Sequence, residues 1–161
     1  MSRRVEAAAA SAAAAAQRSS LVGRSAAEAN QLEDAAALIQ LSALVQDAFA
    51  RVAQRHDLTP VQARLLCALV EGPRGMADLA RGFGVEKAAL TGLADRTERR
   101  GLAKRVPVPG DRRAMRVALT DIGRRTAAAF HADMTAELTQ LLSPLAPHDR
   151  EQFRAAMAKI T

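Results

Sequence analysis

Hydrophobic residues recur at steps of three and four along most of this chain, which is the spacing of amphipathic helices. The first such series runs from Leu32 to Val52. Just before it, Ser25-Ala26-Ala27-Glu28 has the spacing of a capping box, in which a Ser hydroxyl and a Glu carboxylate satisfy free amides at a helix start. We therefore predict one long helix that begins at Ser25 and ends near His56.

Three shorter helices are predicted next. Thr59-Pro60-Val61-Gln62 places a capping residue, a proline and a glutamine where a helix begins, and Gly72-Pro73 ends that helix. A short helix follows at Met76–Arg81, and Gly82-Phe83-Gly84-Val85 forms a tight turn. The third helix runs from about Lys87 to Arg100. The order is therefore helix, helix, turn, helix.

The pattern changes to alternation after this third helix, which indicates strands. Residues 102–108 and 115–119 are predicted to pair as a hairpin whose tip is Pro109-Gly110-Asp111-Arg112-Arg113. Pro107 favours an edge position for the first strand. Helical spacing returns in residues 121–161, with a break at Ser143-Pro144. The fold class is therefore mainly α with a small β-hairpin (α+β).

Charge is concentrated around that hairpin. The chain has a net charge of +6. Residues 86–116 hold nine Lys or Arg and four Asp or Glu, so they contribute +5 of this total. A concentrated basic surface favours a polyanionic partner.

A helix-turn-helix followed by a two-stranded hairpin is a winged helix-turn-helix, which we assign to residues 58–120. The second helix of such a unit fits the major groove of DNA, and its N-terminal half faces the base edges. Arginines of the wing reach a neighbouring minor groove or its phosphates. The sequence therefore predicts double-stranded DNA as the partner.

The winged segment resembles the MarR family of transcriptional regulators. The residues that carry the resemblance are Leu58–Gln62, Gly84-Val85, Asp95–Leu102, Asp111-Arg112-Arg113 and Leu119-Thr120. The resemblance implies a homodimer in which residues 25–57 and 121–161 form the dimerisation helices. It also implies binding to a pseudo-palindromic operator, usually as a repressor, and release from DNA by a small-molecule effector or an oxidant.

The same resemblance implies the residues that contact DNA, which are Lys87, Ala88, Ala89, Thr91, Arg96, Arg99, Arg112 and Arg113. Thr91 and the positions around Ala88 and Ala89 would face the major groove, and Lys87 and Arg96 would meet phosphates. Arg113 would enter the minor groove, oriented by a salt bridge to Asp111, and Arg112 would be a second wing contact. The family often has Ser or Thr where this chain has Glu86, Ala88 and Ala89. We therefore expect fewer direct base contacts and greater use of the wing.

Several alternatives remain open at this point. Arg99, Arg100, Lys104 and Arg105 either contact DNA or form a solvated face. Cys67 lies among leucines and is predicted to be a buried structural thiol, with a redox sensor as the alternative. A winged-helix module for protein association, without DNA binding, is a third interpretation, although it predicts a wing that is not basic.

Other classes of function find little support. The chain has no sequence motif of a hydrolase, a nucleotide-binding loop or a zinc protease, so we predict that it is not an enzyme and uses no cofactor. Its three histidines do not have the spacing of metal ligands. The single cysteine favours the reducing cytoplasm. No uninterrupted apolar run spans a membrane, and residues 1–24 are predicted to be a flexible, Ala-rich extension and not a secretion signal.

Overall fold

The computed structural model describes the backbone of residues 2–108 and 110–160, and the side chains of residues 28–108, 110 and 114–160. The chain forms two compact units, residues 1–44 and 45–161, and the boundary between them lies within the first helix. The elements in the described part are α1 Ser2–Arg55, α2 Pro60–Ala68, β1 Arg74–Gly75, α3 Met76–Phe83, α4 Lys87–Arg99, β2 Ala103–Val108, β3 Asp111–Leu119, α5 Asp121–Leu141 and α6 Pro147–Ile160. The predicted class, mainly helical with a small antiparallel sheet, is confirmed.

Helix α1 begins at Ser2, so the prediction that it starts at Ser25 is wrong. Alanine has the highest helix propensity of the amino acids, and the Ala-rich segment therefore continues the helix toward the N-terminus. Whether residues 1–24 form a flexible extension stays a prediction, because the side chains of residues 1–27 lie outside the described ones.

The first unit has an apolar surface along α1. Leu32, Leu38, Ile39 and Leu44 are each more than half exposed. The stretch Glu28–Arg55 is long and apolar enough to cross a membrane by length and composition alone, with a mean hydropathy of 1.2 over 18 residues. The expectation that no uninterrupted apolar run spans a membrane stays a prediction, because charged residues interrupt this stretch at Glu33, Asp34 and Asp47. The core helix of a soluble protein passes the same test.

The core of the second unit lies between the end of α1, α2, α4, α5 and the base of the hairpin. Phe130 on α5 is 2% exposed and meets Phe49 on α1 edge to face, with ring centroids 5.1 Å apart. Val52 and Leu65 are fully buried in the same cluster. Phe49 and Phe130 are therefore packing residues, as their helical spacing predicts.

The sheet has the order β1-β3-β2, and both pairs are antiparallel. Strand β2 is an edge strand, as Pro107 predicts, and its register with β3 is irregular between Pro107 and Val108. Strand β1 was not predicted, because two residues are too few to show alternation. The hairpin closes at Gly110, whose φ of +84° suits glycine.

Two local contacts fix the ends of the winged segment. Thr59 and Gln62 form the predicted capping box at the start of α2. At the other end, the first turn of α5 approaches the base of the wing so closely that a Cβ on Gly123 would lie 1.8 Å from the carbonyl oxygen of Leu102. Only glycine fits at this position, and it holds α5 against the end of α4.

Candidate nucleic-acid interface

Helix α4 has a buried face and an exposed one. Leu90, Leu93, Ala94 and Thr97 are buried in the core. Residues 88, 92, 96 and 99 follow one another at steps of four and three, and helical geometry places them on the side away from the core. We call Ala88, Gly92, Arg96 and Arg99 the outer face of α4. Gly92 is partly exposed and the other three are exposed.

The predicted contact residues on α4 all lie outside the core. Lys87 and Ala89 are exposed and flank the outer face, while Thr91 is partly exposed. The Thr91 hydroxyl donates a hydrogen bond to the carbonyl oxygen of Lys87 at 2.8 Å. Its proton is therefore used within the helix, and its oxygen remains an acceptor for a base amino group or water.

Gly92 was missed by sequence reasoning. A Cβ at this position would lie 3.2 Å from Nη1 of Arg96, so the Arg96 side chain folds over the glycine. The glycine itself was a signal in the sequence. A glycine inside a helix lowers the stability of the helix by about 1 kcal/mol relative to alanine, so its presence indicates a specific role. Together with Ala88, it leaves the middle of the outer face without bulky side chains.

The N-terminus of α4 has no side-chain cap. Glu86 occupies the N-cap position but makes no capping hydrogen bond, and the same is true of Gly75 at the start of α3. For Glu86 this agrees with the sequence, in which the family often has Ser or Thr at that position. The amides of the first turn of α4 are thus available to a phosphate, and the helix dipole favours an anion there.

Two of the cations left open by the sequence have partners in the protein. Nη1 of Arg100 donates to the carbonyl oxygen of Asp57 and, at 3.2 Å, to Oε1 of Gln62. Gln62 is itself buried and belongs to the capping box of α2. Arg100 therefore joins the end of α4 to the turn between α1 and α2.

Arg105 is the second such cation. Its Nη2 lies 2.5 Å from Oδ1 of Asp95, and its Nη1 pairs with Oε2 of Glu98. The hydrogen bond that Arg105 donates to Asp95 is the main reason that the pKa of Arg105 is raised above its ordinary value. Both acids belong to α4 and Arg105 belongs to β2, so these contacts place one positive charge between the two acids and join the helix to the wing.

Five other cations of this region differ from Arg100 and Arg105. Among the residues with described side chains, no ion-pair partner is found for Lys87, Arg96, Arg99, Lys104 or Arg116. The strand register puts Lys104 and Arg116 on the face of the hairpin opposite to Arg105. Lys87, Arg96 and Arg99 therefore give α4 a positive exposed surface.

At the hairpin tip, residues 111–113 are described by their backbone alone, and residue 109 lies outside the described residues. Strand β3 begins at Asp111, which is the register partner of Val108. The side chains of Asp111, Arg112 and Arg113 lie outside the described ones. Their predicted contacts, including the salt bridge between Asp111 and Arg113, therefore stay predictions.

Cys67 is exposed, so the prediction of a buried thiol is wrong. The buried face of α2 consists of Gln62, Ala63, Leu65 and Leu66, and Cys67 falls outside it. It lies on the wall of a cavity of about 700 Å³ between α2, α5 and the sheet, which Val70, Leu119 and His131 also line. Solvent reaches the thiol, yet the surrounding protein removes enough water to raise its pKa above the ordinary 9.0.

His56 and its neighbours hold α1 against α5. Nε2 of His56 lies 2.9 Å from Oδ2 of Asp133. One turn away, Arg51 and Arg55 both pair with Glu137. The pKa of the Glu137 carboxyl is lowered from its ordinary value, mainly by the hydrogen bond that Arg51 donates to it. Among the described residues, no group of three or more His, Cys, Asp or Glu could hold a metal ion.

Comparison with known proteins identifies the fold and the family. The MarR family model matches residues 56–114. The homoprotocatechuate degradative operon repressor of Escherichia coli is 31% identical over 122 residues, which cover 66% of this chain and 82% of that protein. The transcriptional repressor NicR of Pseudomonas putida is 40% identical over 68 residues, and the match spans 42% of this chain but only 43% of NicR.

A solved structure shares the architecture as well. The crystal structure of RV1404 from Mycobacterium tuberculosis is 29% identical, with a TM-score of 0.69 over 77% of this chain and 87% of that one. The winged segment, the flanking helices and these likenesses agree on one assignment. The chain belongs to the MarR family of winged helix-turn-helix transcriptional regulators, and it is not an enzyme.

Proposed function

We propose that this chain is a homodimeric, sequence-specific DNA-binding regulator that represses transcription and leaves DNA when a small molecule binds. The observation that carries the proposal is the outer face of α4, where two small residues and two arginines with no ion-pair partner among the described side chains face away from the core. A helix with such a surface fits the major groove of a DNA duplex.

The chemistry of α4 suggests how it divides its contacts. Ala88 and Gly92 let the helix backbone approach the base pairs closely, but they offer no side-chain hydrogen bonds. Lys87, Arg96 and Arg99 suit phosphates, as do the uncapped amides of the first turn. We therefore propose that DNA shape and the wing residues Arg112 and Arg113 supply much of the specificity.

The homodimer is supported by one observation in each unit taken separately. In the first unit, the exposed leucines and isoleucine of α1 form a surface that a monomer would leave in water. In the second unit, α6 has 14 residues and none of them is buried. Isolated helices of that length are marginal in water. We propose that a second copy of the chain covers both surfaces.

The cavity beside Cys67 is the candidate effector site. Its volume of about 700 Å³ lies within the range for small-molecule sites. Because α2 and α5 both line it, a ligand there would shift the winged segment relative to α5 and so change the spacing of the two α4 helices in a dimer. The exposed Cys67 keeps an oxidant signal as a second candidate, although a raised pKa disfavours the reactive thiolate.

The proposal is tested first by mixing the chain with random-sequence duplex DNA in a mobility-shift assay over a salt series. Phosphate contacts alone give a Kd below about 10 μM at low salt, and a winged-helix association module gives no binding. Light scattering of the same sample measures the mass, for which we expect two chains. A monomer, or the absence of any shifted duplex, contradicts the proposal.

The wing is tested by Arg113→Ala. Loss of a minor-groove arginine should weaken binding to a selected operator by about 1–3 kcal/mol per contact. Arg125→Gln is the matched control, because Arg125 is an exposed cation on α5 that makes no ion pair with any described side chain. Equal affinity of the Arg113→Ala variant and the wild type would refute the role given to Arg113.

A further inference from the structure

Arg105 stands at the junction between the two elements that grip DNA in the proposed function. It lies in β2, and its side chain meets two carboxylates one helical turn apart on α4, Asp95 and Glu98. The guanidinium is planar and carries its donors in a fixed fork, so it can hold both carboxylates at once. The arginine side chain is 32% exposed, and the two acids are 48% and 38% exposed.

The backbone of the same residue takes part. The amide of Arg105 donates to Oε1 of Glu98 at 3.1 Å. Strand β2 is an edge strand, and this amide would otherwise lack a partner in the protein. Glu98 therefore binds both the side chain and the main chain of the wing, and the contact fixes the orientation of the strand as well as its distance from α4. We call Arg105, Asp95 and Glu98 the helix–wing clamp.

The clamp has an electrostatic cost that argues for a role in positioning. Asp95 and Glu98 put two negative charges on the helix that would approach phosphates, and the single positive charge of Arg105 offsets only one of them. If overall attraction to DNA were the only requirement, uncharged residues at 95 and 98 and a free arginine at 105 would serve better.

We propose that Arg105 is a positioning residue whose clamp on Asp95 and Glu98 sets the angle between α4 and the wing, so that both reach their grooves on one duplex. This inference rests on the proposed DNA-binding function. Two properties of DNA binding should respond differently. Loss of the clamp reduces discrimination between an operator and other DNA, but it leaves the attraction to phosphates unchanged.

The test uses the full-length chain and two probes. One probe is a duplex selected by the wild-type chain from a random library, and the other is a scrambled duplex of the same composition. The variants are Arg105→Gln, Arg105→Lys, the double variant Asp95→Asn/Glu98→Gln, and the triple variant that combines Arg105→Gln with the two acid changes. Controls of equal charge are Arg125→Gln for the arginine and Asp47→Asn/Asp78→Asn for the acids.

Arg105→Gln should lower the ratio of selected to scrambled affinity at least tenfold, with less than a threefold change on the scrambled probe. Its salt dependence should match that of the wild type, because no phosphate contact is lost. Arg105→Lys should recover part of the ratio, since an ammonium can pair with one carboxylate at a time. The acid double variant should also lose discrimination, although it is more positive than the wild type.

The triple variant tests whether the three residues act as one unit. The clamp predicts that it discriminates no worse than Arg105→Gln alone, because residues of one network are not additive. If the loss of discrimination in the triple variant equals the product of the losses in Arg105→Gln and in the acid double variant, the inference is overturned. It is also overturned if the salt slope of Arg105→Gln is shallower by about 0.9, which is the signature of a lost phosphate contact.

The possible failures are distinguishable. If the wild type binds neither probe, the proposed function fails and the inference fails with it. If the wild type discriminates and Arg105→Gln discriminates equally well, only the clamp is wrong. If circular dichroism shows that Arg105→Gln does not fold, the single variants Asp95→Asn and Glu98→Gln take its place, because each removes one of the two carboxylates. The variant with the lower ratio of selected to scrambled affinity must then show at least the tenfold loss.

Discussion

Replacing Gly92 by alanine should make the protein more stable and make it bind DNA less well. Gly92 lies inside α4 on its outer face, and alanine is better than glycine in a helix interior by about 0.8–1.0 kcal/mol. The added Cβ would lie 3.2 Å from Nη1 of Arg96. That atom is the end of a flexible side chain and needs to move by only a few tenths of an ångström. The stabilisation should therefore survive almost whole.

The effect on DNA has the opposite sign. The new methyl group lies in the middle of the outer face, where Ala88 and Gly92 leave room for close approach to the base pairs. Overpacking at a close interface costs about 1–3 kcal/mol, which is roughly a 5- to 150-fold increase in Kd. Moving the Arg96 guanidinium from above Gly92 adds to this loss.

Two measurements decide the outcome. Thermal unfolding at a fixed protein concentration should show a Tm higher by about 2–4 °C per kcal/mol in a chain of this size. Fluorescence anisotropy with a labelled operator gives the Kd. Gly82→Ala is the control: its Cβ would have no neighbour within 4 Å and lies on α3, so it should leave the Kd nearly unchanged. If Gly92→Ala is stabilised and binds DNA as tightly as the wild type, the outer face of α4 does not meet DNA.

Three further predictions concern the frame around the interface. Arg51 and, to a lesser extent, Arg55 lower the pKa of Glu137, so its carboxylate stabilises the folded state above about pH 4.5, and this stabilisation is lost as the pH falls through the lowered pKa. Replacing Glu137 by glutamine should therefore flatten the acid side of a plot of Tm against pH. A curve as steep as that of the wild type contradicts this prediction. Gly123→Ala should lower the free energy of unfolding by about 3 kcal/mol in urea titrations, since its Cβ would overlap the oxygen of Leu102; a change below about 1 kcal/mol refutes that close contact. Cys67 should react with iodoacetamide more slowly than free cysteine at neutral pH and accelerate at alkaline pH, whereas a faster reaction at neutral pH would favour the oxidant sensor.

Local signals in the sequence were sufficient for most element boundaries. The Thr59 capping box and the strand alternation after Leu102 each depend on neighbours within a few residues, and the structure confirms the box and both strands. The second strand begins at Asp111, so its predicted start at Met115 is wrong, because pairing with β2 extends it beyond the alternating residues. The start of α1 was missed because Ser25 and Glu28 have the spacing of a cap, while the alanine run before them carries the helix past it. Strand β1 exists only through its pairing with β3, which a local pattern cannot show.

The site was harder to predict because a charged residue does not reveal its partner. Arg99, Arg100 and Arg105 look alike in sequence, yet the first is unpaired among the described side chains, the second binds the turn at Asp57, and the third binds Asp95 and Glu98. These partners come from packing of α4 against elements up to 43 residues away. Cys67 shows the same limit, since two leucine neighbours do not determine which face of α2 it occupies.

The most direct test of DNA contact by α4 is the salt dependence of binding to one operator duplex, measured for the wild type and for the triple variant Lys87→Gln/Arg96→Gln/Arg99→Gln. Log K should fall linearly with log salt for both proteins. The slope of the variant should be shallower by about 0.9 for each phosphate contact that the three cations supply. Equal slopes would show that these exposed cations do not touch DNA, and the interface assigned to α4 would be wrong.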